Sequence, residues 1–452
     1  MRILVLALAL ACLFGAQLPA QDTTELLNRM KAMEDRIKSL EAEVQTLKQT
    51  AAVTPPPATA APNIPAQPAV PIPAQPVPIP AALPPQEPVT LGGAGPAAAK
   101  ALNPDISAIG DFIGAVGNGA NRGIPSLEMH ESELGFQEVI DPYARADFFI
   151  SFGEHGVDLE EGYLTLTSLP AGLQVKVGKM RAAFGRVNTL HNHVLPWTDR
   201  PLVNQDLVGG EDGIDDAGLS VSRILPAPKG IFLEGVAQLY RGDSTNVFQA
   251  LRRNDVSTVE HLRAYSDLSE STNLDIGGSY ARGHSPFGNG TNQLFGADLT
   301  LRWKPLRRAI YHSFVARSEL VWARTTALAP ETIASLVPPS APASYVVKPF
   351  GFYVSGDYQF GRRWFFGGRF DRSERGACLP TNPPTTTSCN PILPPGALLQ
   401  DTGGSLILTY WPSEFSQIRG QLRRTRYGEG LTANELIFQF MFSMGAHGAH
   451  PF

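Results

Sequence analysis

Residues 181–216 concentrate the side chains whose types could do chemistry. They hold His191, His193, Trp197, Asp199, Asp206, Glu211, Asp212, Asp215 and Asp216 against three cations, Arg181, Arg186 and Arg200. Lining a narrow, low-dielectric passage, such an acidic excess would concentrate cations and repel anions. In a solvated loop, or one whose carboxylates pair with nearby arginines, the same residues confer no selectivity. His191 and His193, two apart beside carboxylates, offer nitrogen and oxygen donors to a divalent ion. A loop pair at that spacing does not assign a metal site. No G-x-S-x-G turn, H-E-x-x-H helix or phosphate-binding glycine loop occurs anywhere in the chain, so neither an enzyme nor a cofactor is expected.

The segments that must position this loop lie on either side of it, in residues 102–452. Their recurring unit is about ten residues of strict apolar and polar alternation, ended by Gly, Pro, Asn or Asp, which is the signal of a strand. In residues 144–152, Ala144, Ala146, Phe148, Ile150 and Phe152 alternate with Arg145, Asp147 and Ser151. The pattern places Arg145, Asp147, Lys176, Asp298, Arg302, Arg317, Glu319, Asp357, Arg369, Asp371, Arg419 and Arg423 on the polar faces. Charges of both signs on one face suit a water-filled lumen. Connections alternate between tight ones, as at 141–142, 226–230, 361–363 and 412–414, and long ones, as at 181–216, 284–293, 325–345 and 373–400. Short turns on one rim and long loops on the other are the habit of outer-membrane barrels. Sixteen strands are expected, starting near 104, 127, 143, 157, 172, 217, 231, 259, 273, 294, 309, 348, 364, 403, 415 and 434. The fold class is therefore all-β: an antiparallel transmembrane β-barrel of about 16 strands, preceded by a short coiled-coil helix and a proline-rich linker.

The preceding hundred residues divide by composition. Met1 and Arg2, the apolar run 3–16 and Leu18-Pro19-Ala20 read as a signal peptide over residues 1–20. The run is shorter than the roughly 17–25 residues a membrane-spanning helix needs. In residues 21–50, Leu26, Met30, Met33, Ile37, Leu40, Val44 and Leu47 keep an unbroken heptad spacing. The flanking pairs Arg29 with Glu34, Arg36 with Glu41 and Glu43 with Lys48 are of opposite charge, which favours a parallel homo-oligomer. Residues 51–101 are rich in Pro and Ala and read as an extended spacer. Cys378 and Cys389 lie in a Pro/Thr/Asn-rich loop and, in an exported chain, read as a disulfide. Only 17% of residues are charged and the net charge is −5, so there is no basic footprint for nucleic acid.

Signal peptide, heptad helix, spacer, even barrel and terminal Phe452 together resemble Gram-negative trimeric porins, most closely the phosphate-selective porin superfamily with an N-terminal periplasmic coiled coil. The resemblance implies an outer-membrane location, lipid contact, a homotrimer, and recognition of Phe452 by the barrel assembly machinery. It also implies a third long loop that folds inward and narrows the pore, which here is residues 181–216. Passive diffusion of small hydrophilic solutes or ions follows as the expected activity. Two rivals remain: a barrel-anchored tether reaching the cell wall through the helix and spacer, and a zinc uptake channel using the His191/His193 pair.

Overall fold

The computed structural model describes residues 104–119, 124–154, 156–244, 247–286, 290–328, 344–376 and 396–445, with 31, 38, 378, 379, 388 and 389. Within the N-terminal unit only Lys31 and Lys38 are described, both helical and exposed. The signal peptide, heptad seam, spacer and Phe452 lie outside the described residues.

Alternation over ten or more residues cannot persist in a helix, and here it produces sixteen long strands among the described residues. They are β1 (Asp105–Gly117), β2 (Glu128–Asp141), β3 (Ala144–Gly153), β4 (Gly156–Leu166), β5 (Leu173–Arg181), β6 (Asp215–Leu225), β7 (Ile231–Tyr240) and β8 (Ser257–Ser269). The second half comprises β9 (Thr272–His284), β10 (Thr291–Trp303), β11 (Ser313–Leu328), β12 (Phe350–Gly361), β13 (Trp364–Gly376), β14 (Leu398–Ser413), β15 (Ser416–Arg426) and β16 (Thr432–Gly445). Each pairs antiparallel with its chain neighbours, and β16 returns to β1, with Phe112 opposite Phe440 and Ile113 opposite Gln439. A closed 16-strand antiparallel barrel results, without the unpaired edge that hydrocarbon could not satisfy. A short run, Ser344–Val347, extends the pairing of β11 beyond β12. A separate two-stranded ladder sets Cys378 opposite Cys389.

The register sorts side chains as the period-two pattern demands. Between β12 and β13, Ser355 faces Arg369 and Tyr353 faces Asp371 on the inner side, while Val354 faces Phe370 and Tyr358 faces Phe366 on the outer side. Phe295, Val354, Phe366, Phe370, Leu406 and Leu422 each leave about half their surface uncovered. A belt of that kind around the whole barrel far exceeds the few hundred Å² of apolar patch a water-soluble surface tolerates, and it matches a lipid-facing wall. Near the short turns the exposed aromatics Tyr143, Tyr311, Phe360, Trp364 and Phe415 form a girdle, as amphipathic rings do at a membrane interface. Asp147, Asp298, Glu319, Arg369, Asp371 and Arg419 are buried on the polar faces of their strands, and the more open Arg145 forks onto Asp147 at 2.7–3.1 Å. Both β1 and β16 have their outer chain ends at the short-turn rim.

Two strand starts differ from expectation. β11 begins at Ser313 rather than near 309, because the apolar Ile310 belongs to a turn in which Arg308 takes a left-handed backbone, φ 66°. β14 begins at Leu398 rather than near 403; its first turnward residues, Gln400 and Asp401, precede a Gly403-Gly404 pair that obscures the alternation.

Candidate functional site: an inserted loop between two chambers

The 33 residues between β5 and β6 do not stay at the rim. They enter the barrel and carry much of its buried apolar cluster, including Phe184, Val187, Leu195, Trp197, Val203 and Ile214. Sequence-local features shape the entry. The loop base is tied by Asn188, whose amide donates to the carbonyls of Ala182 (2.9 Å) and Ile214 (3.0 Å) and whose Oδ1 accepts from Ile214 N (2.8 Å). Gly185 (φ 61°) is required where the chain turns against Glu319: a Cβ there would sit 2.9 Å from its Oε2. Gly213 (φ 67°) is required at the exit, where a Cβ would overlap Asn188 Oδ1. One short helix, α1 (Leu202–Leu207), packs against the wall at β13 and β12.

Charged wall residues hold the loop across the lumen. Asp199 is buried and accepts from Arg369 (3.0 Å), Arg423 (2.7 Å) and the Gln421 amide. Gln421 Oε1 in turn accepts from the backbone N and the hydroxyl of Thr198, and Arg419 donates to Trp197 O at 2.9 Å. Trp197 stands edge-on to Tyr353, centroids 5.1 Å apart, with the Arg369 guanidinium over its ring. On the same side of the barrel Glu319 of β11 accepts the amide protons of Arg186 and Val187, both at 2.6 Å, and Asp371 of β13 accepts from Leu202 N.

The other loop carboxylates scatter. Asp206 sits on α1, half-buried near the Arg375 and Asp401 pair. Glu211 and Asp212 are exposed at the long-loop mouth. Asp215 and Asp216 begin β6 and so diverge: Asp215 pairs with Lys179 (3.2 Å), whereas Asp216 accepts the amides of Gly242 and Asp243. Both stay with the strand, in register with Met180 and Arg181 of β5, and so do not follow the loop across the lumen.

Two loop carboxyls respond to pH with opposite sign. Burial raises Asp199, but Arg369 and Arg423 outweigh it and bring its pKa down to about 2. Docking through Asp199 is thus fully present above the undocked value of 3.8 and is lost as pH falls from there toward 2. For Asp206, burial and then the charge of Asp401 push the pKa up to about 7. The docked loop therefore favours protonated Asp206, and its hold weakens as pH rises from 3.8 through about 7. Loop opening, read as current fluctuation in planar bilayers, is expected to grow between about pH 4 and 7 and to level off above, and Asp206→Asn is expected to abolish that growth. A pH response identical in the variant would sink this assignment.

The loop separates two chambers of opposite charge. On the short-turn side a cavity of about 140 Å³ is lined by Arg186, Arg302, Arg317 and Arg419 against Asp357, with Trp197, Tyr353, Phe365 and Trp411. On the long-loop side a cavity of about 640 Å³ is lined by Glu128, Glu131, Glu154, Asp158, Glu160, Glu211 and Asp212 against Arg181 and His130.

Between the two chambers, with Glu131 and Glu160 facing the acidic one and His193 facing the other, lies a cluster that sequence reading did not assemble. His191 places Nδ1 2.6 Å from Glu133 Oε2 and 3.2 Å from Glu160 Oε2, and Nε2 2.8 Å from Glu161 Oε2. His193 Nδ1 is 3.6 Å from Glu133 Oε2 and 4.0 Å from Glu131 Oε1. Glu133, His191 and His193 thus bring candidate ligand atoms within 4.8 Å of one another, as do Glu131, Glu133 and Glu160. Glu131 and Glu133 share a face by simple alternation, a signal legible in sequence. Glu160 and Glu161 are adjacent and both turn inward because the β3–β4 register slips between Phe149 and Ile150, leaving Glu160 as the extra residue. A bulge that re-aims a side chain in this way has no sequence signature.

No protein-family model matches the chain. An uncharacterized protein of Aquifex aeolicus (strain VF5) is 28% identical over 416 residues, covering 79% of this chain and 81% of that protein. Among solved structures, the chain is similar to the anion-selective porin from Comamonas acidovorans, at 8% identity and a TM-score of 0.49, covering 76% of this chain and 99% of that one. It is also similar to Salmonella typhi OmpF, at 9% identity and a TM-score of 0.48 over 76% and 99% of the two chains. Pseudomonas putida OprB gives 9% identity and a TM-score of 0.46 over 77% and 95%.

Proposed function

We propose that this chain is an outer-membrane porin through which small hydrophilic solutes and ions diffuse passively. The observation that carries this reading is the loop pinned across a charged lumen, between two polar chambers, inside a closed barrel with an apolar exterior. Such an arrangement does what a channel constriction must: it narrows the path and surrounds it with fixed charge. The constriction is assigned to the loop, with Asp199 structural and with Glu211 and Asp212 setting the charge of the wider mouth.

Further parts of the reading rest on sequence. The start of β1 at the short-turn rim supports a periplasmic location for residues 21–101. The helix at 21–50 self-associates in parallel, and the assembly is a trimer whose barrels meet through their apolar faces. Phe452 serves the assembly machinery, and the disulfide between Cys378 and Cys389 rests on their place in a loop of an exported chain. Contact of the helix with the cell wall is a secondary role.

The test is single-channel recording of the refolded chain in planar bilayers, with reversal potentials in a salt gradient. Discrete steps with a rectified current are expected, because the two chambers differ in sign. A folded barrel that conducts no current would overturn the porin reading and leave the tether.

A further inference from the structure

We propose that Glu133, His191 and His193 form a binding site for one divalent first-row transition metal ion of the zinc class, in which the ion fastens the inserted loop to the barrel wall. The inference is independent of whether the barrel conducts.

The donor set fits such an ion. Two imidazole nitrogens and a carboxylate oxygen are borderline ligands suited to zinc and its neighbours, and poor ones for calcium or magnesium. Around a tetrahedral ion with bonds of about 2.0–2.1 Å, ligand atoms stand roughly 3.3 Å apart. The 3.6 Å from His193 Nδ1 to Glu133 Oε2 is close to that, and the 2.6 Å from His191 Nδ1 to Glu133 Oε2 needs to open by less than 1 Å. Glu131 supplies a fourth ligand, an oxygen. It is 8% exposed, and its Oε1 accepts no hydrogen bond although it points toward His193. Its other oxygen is held by Asn192 at 3.0 Å, which fixes the carboxylate in place.

The surroundings supply what a ligating histidine requires. His191 Nε2 lies 2.8 Å from Glu161 Oε2, leaving Nδ1 to face the ion. A carboxylate behind the imidazole sets its tautomer and strengthens it as a ligand. Glu161 is itself held by the backbone N of Arg181 at 2.8 Å.

Charge balance points the same way. Glu131, Glu133, Glu160 and Glu161 are all buried or nearly so. Facing them are Arg181, which pairs with Glu160 at 3.0 Å, and Arg200, whose donors go to Asn192 and to the carbonyls of Val187 and Leu190. Four carboxylates against two guanidiniums leave an excess that one divalent ion removes, and buried charge of one sign is otherwise strongly unfavourable.

The experiment uses the full refolded chain, stripped with chelator and titrated with Zn2+ by calorimetry, with bound metal counted after gel filtration. One high-affinity zinc per chain is expected. His193→Ala and Glu133→Gln should each weaken it by 100-fold or more, and Glu161→Gln by about 10–100-fold, the range seen for partners behind a ligand. Heat-modifiable migration on gels verifies that each variant still forms a barrel, and His193→Gln serves if His193→Ala does not. Cobalt substitution adds a spectroscopic reading: nitrogen-dependent visible bands in the wild type, lost in both His193 variants. A folded wild-type barrel with no stoichiometric zinc, or a zinc affinity unchanged in the His193 and Glu133 variants, would overturn the proposal.

Discussion

Asp199→Ala is expected to raise single-channel conductance severalfold while leaving the barrel intact. Asp199 is the point at which two wall arginines and one wall glutamine converge on the loop. Removing one partner from a buried ion pair costs about 3–5 kcal/mol. Here the lower part of that range applies, because Arg369 keeps Asp371 at 2.8 Å and Arg423 keeps Glu435 at 2.7 Å. A loss of about 3 kcal/mol lowers the docked-to-released ratio of the loop by about two orders of magnitude. The ladder hydrogen bonds are untouched, so heat-modifiability should be that of the wild type. Asp199→Asn keeps an acceptor in place and should fall between the two. Unchanged conductance in the alanine variant would mean that the loop does not set the current.

Neutralising the wide mouth should produce the largest change in selectivity. The combined variant Glu154→Gln, Asp158→Asn, Glu211→Gln, Asp212→Asn removes four negative charges from exposed side chains lining the 640 Å³ chamber. None belongs to the loop latch or to the histidine cluster, and Lys179 keeps Asp215 as its partner. What remains along the path is dominated by Arg186, Arg302, Arg317 and Arg419. In a salt gradient the reversal potential should move toward anion preference and the rectification should shrink. The shift should be clear near 0.1 M salt, where charges act over about 10 Å, and nearly vanish at 1 M, where they act over about 3 Å. A reversal potential that stays put at low salt would remove these carboxylates from any role in selectivity.

Much of the architecture can be read along the chain because a strand pair in a barrel is a local object. Val354 and Phe370 alternate with Ser355 and Arg369 whatever the rest of the protein does, so the facing of wall residues follows from period two alone. Tight turns then force antiparallel neighbours, and an even number of strands closes the sheet. The exceptions mark where this logic weakens: glycines 403 and 404 blur the start of β14, and Ile310 mimics a strand residue inside a turn.

The chemistry of the loop is another matter. Its acidic excess is plain in the sequence, yet Asp199, Asp206, Glu211 and Asp216 end in a latch, a buried helix, an open mouth and a turn cap, respectively. Which fate each meets depends on residues up to 224 positions away, as with Asp199 and Arg423. His191 and His193 looked like an isolated pair until β2 and β4 brought four glutamates to them, two of these through a slipped register that no local pattern records. Composition and alternation settle the barrel, its inner and outer faces and the place of its long loop, since these arise from the backbone period and from burial of apolar surface. The latch, the opposed charges of the two chambers and the histidine cluster arise when the loop crosses the lumen, because side chains distant in sequence then share one low-dielectric space and must balance one another's charge.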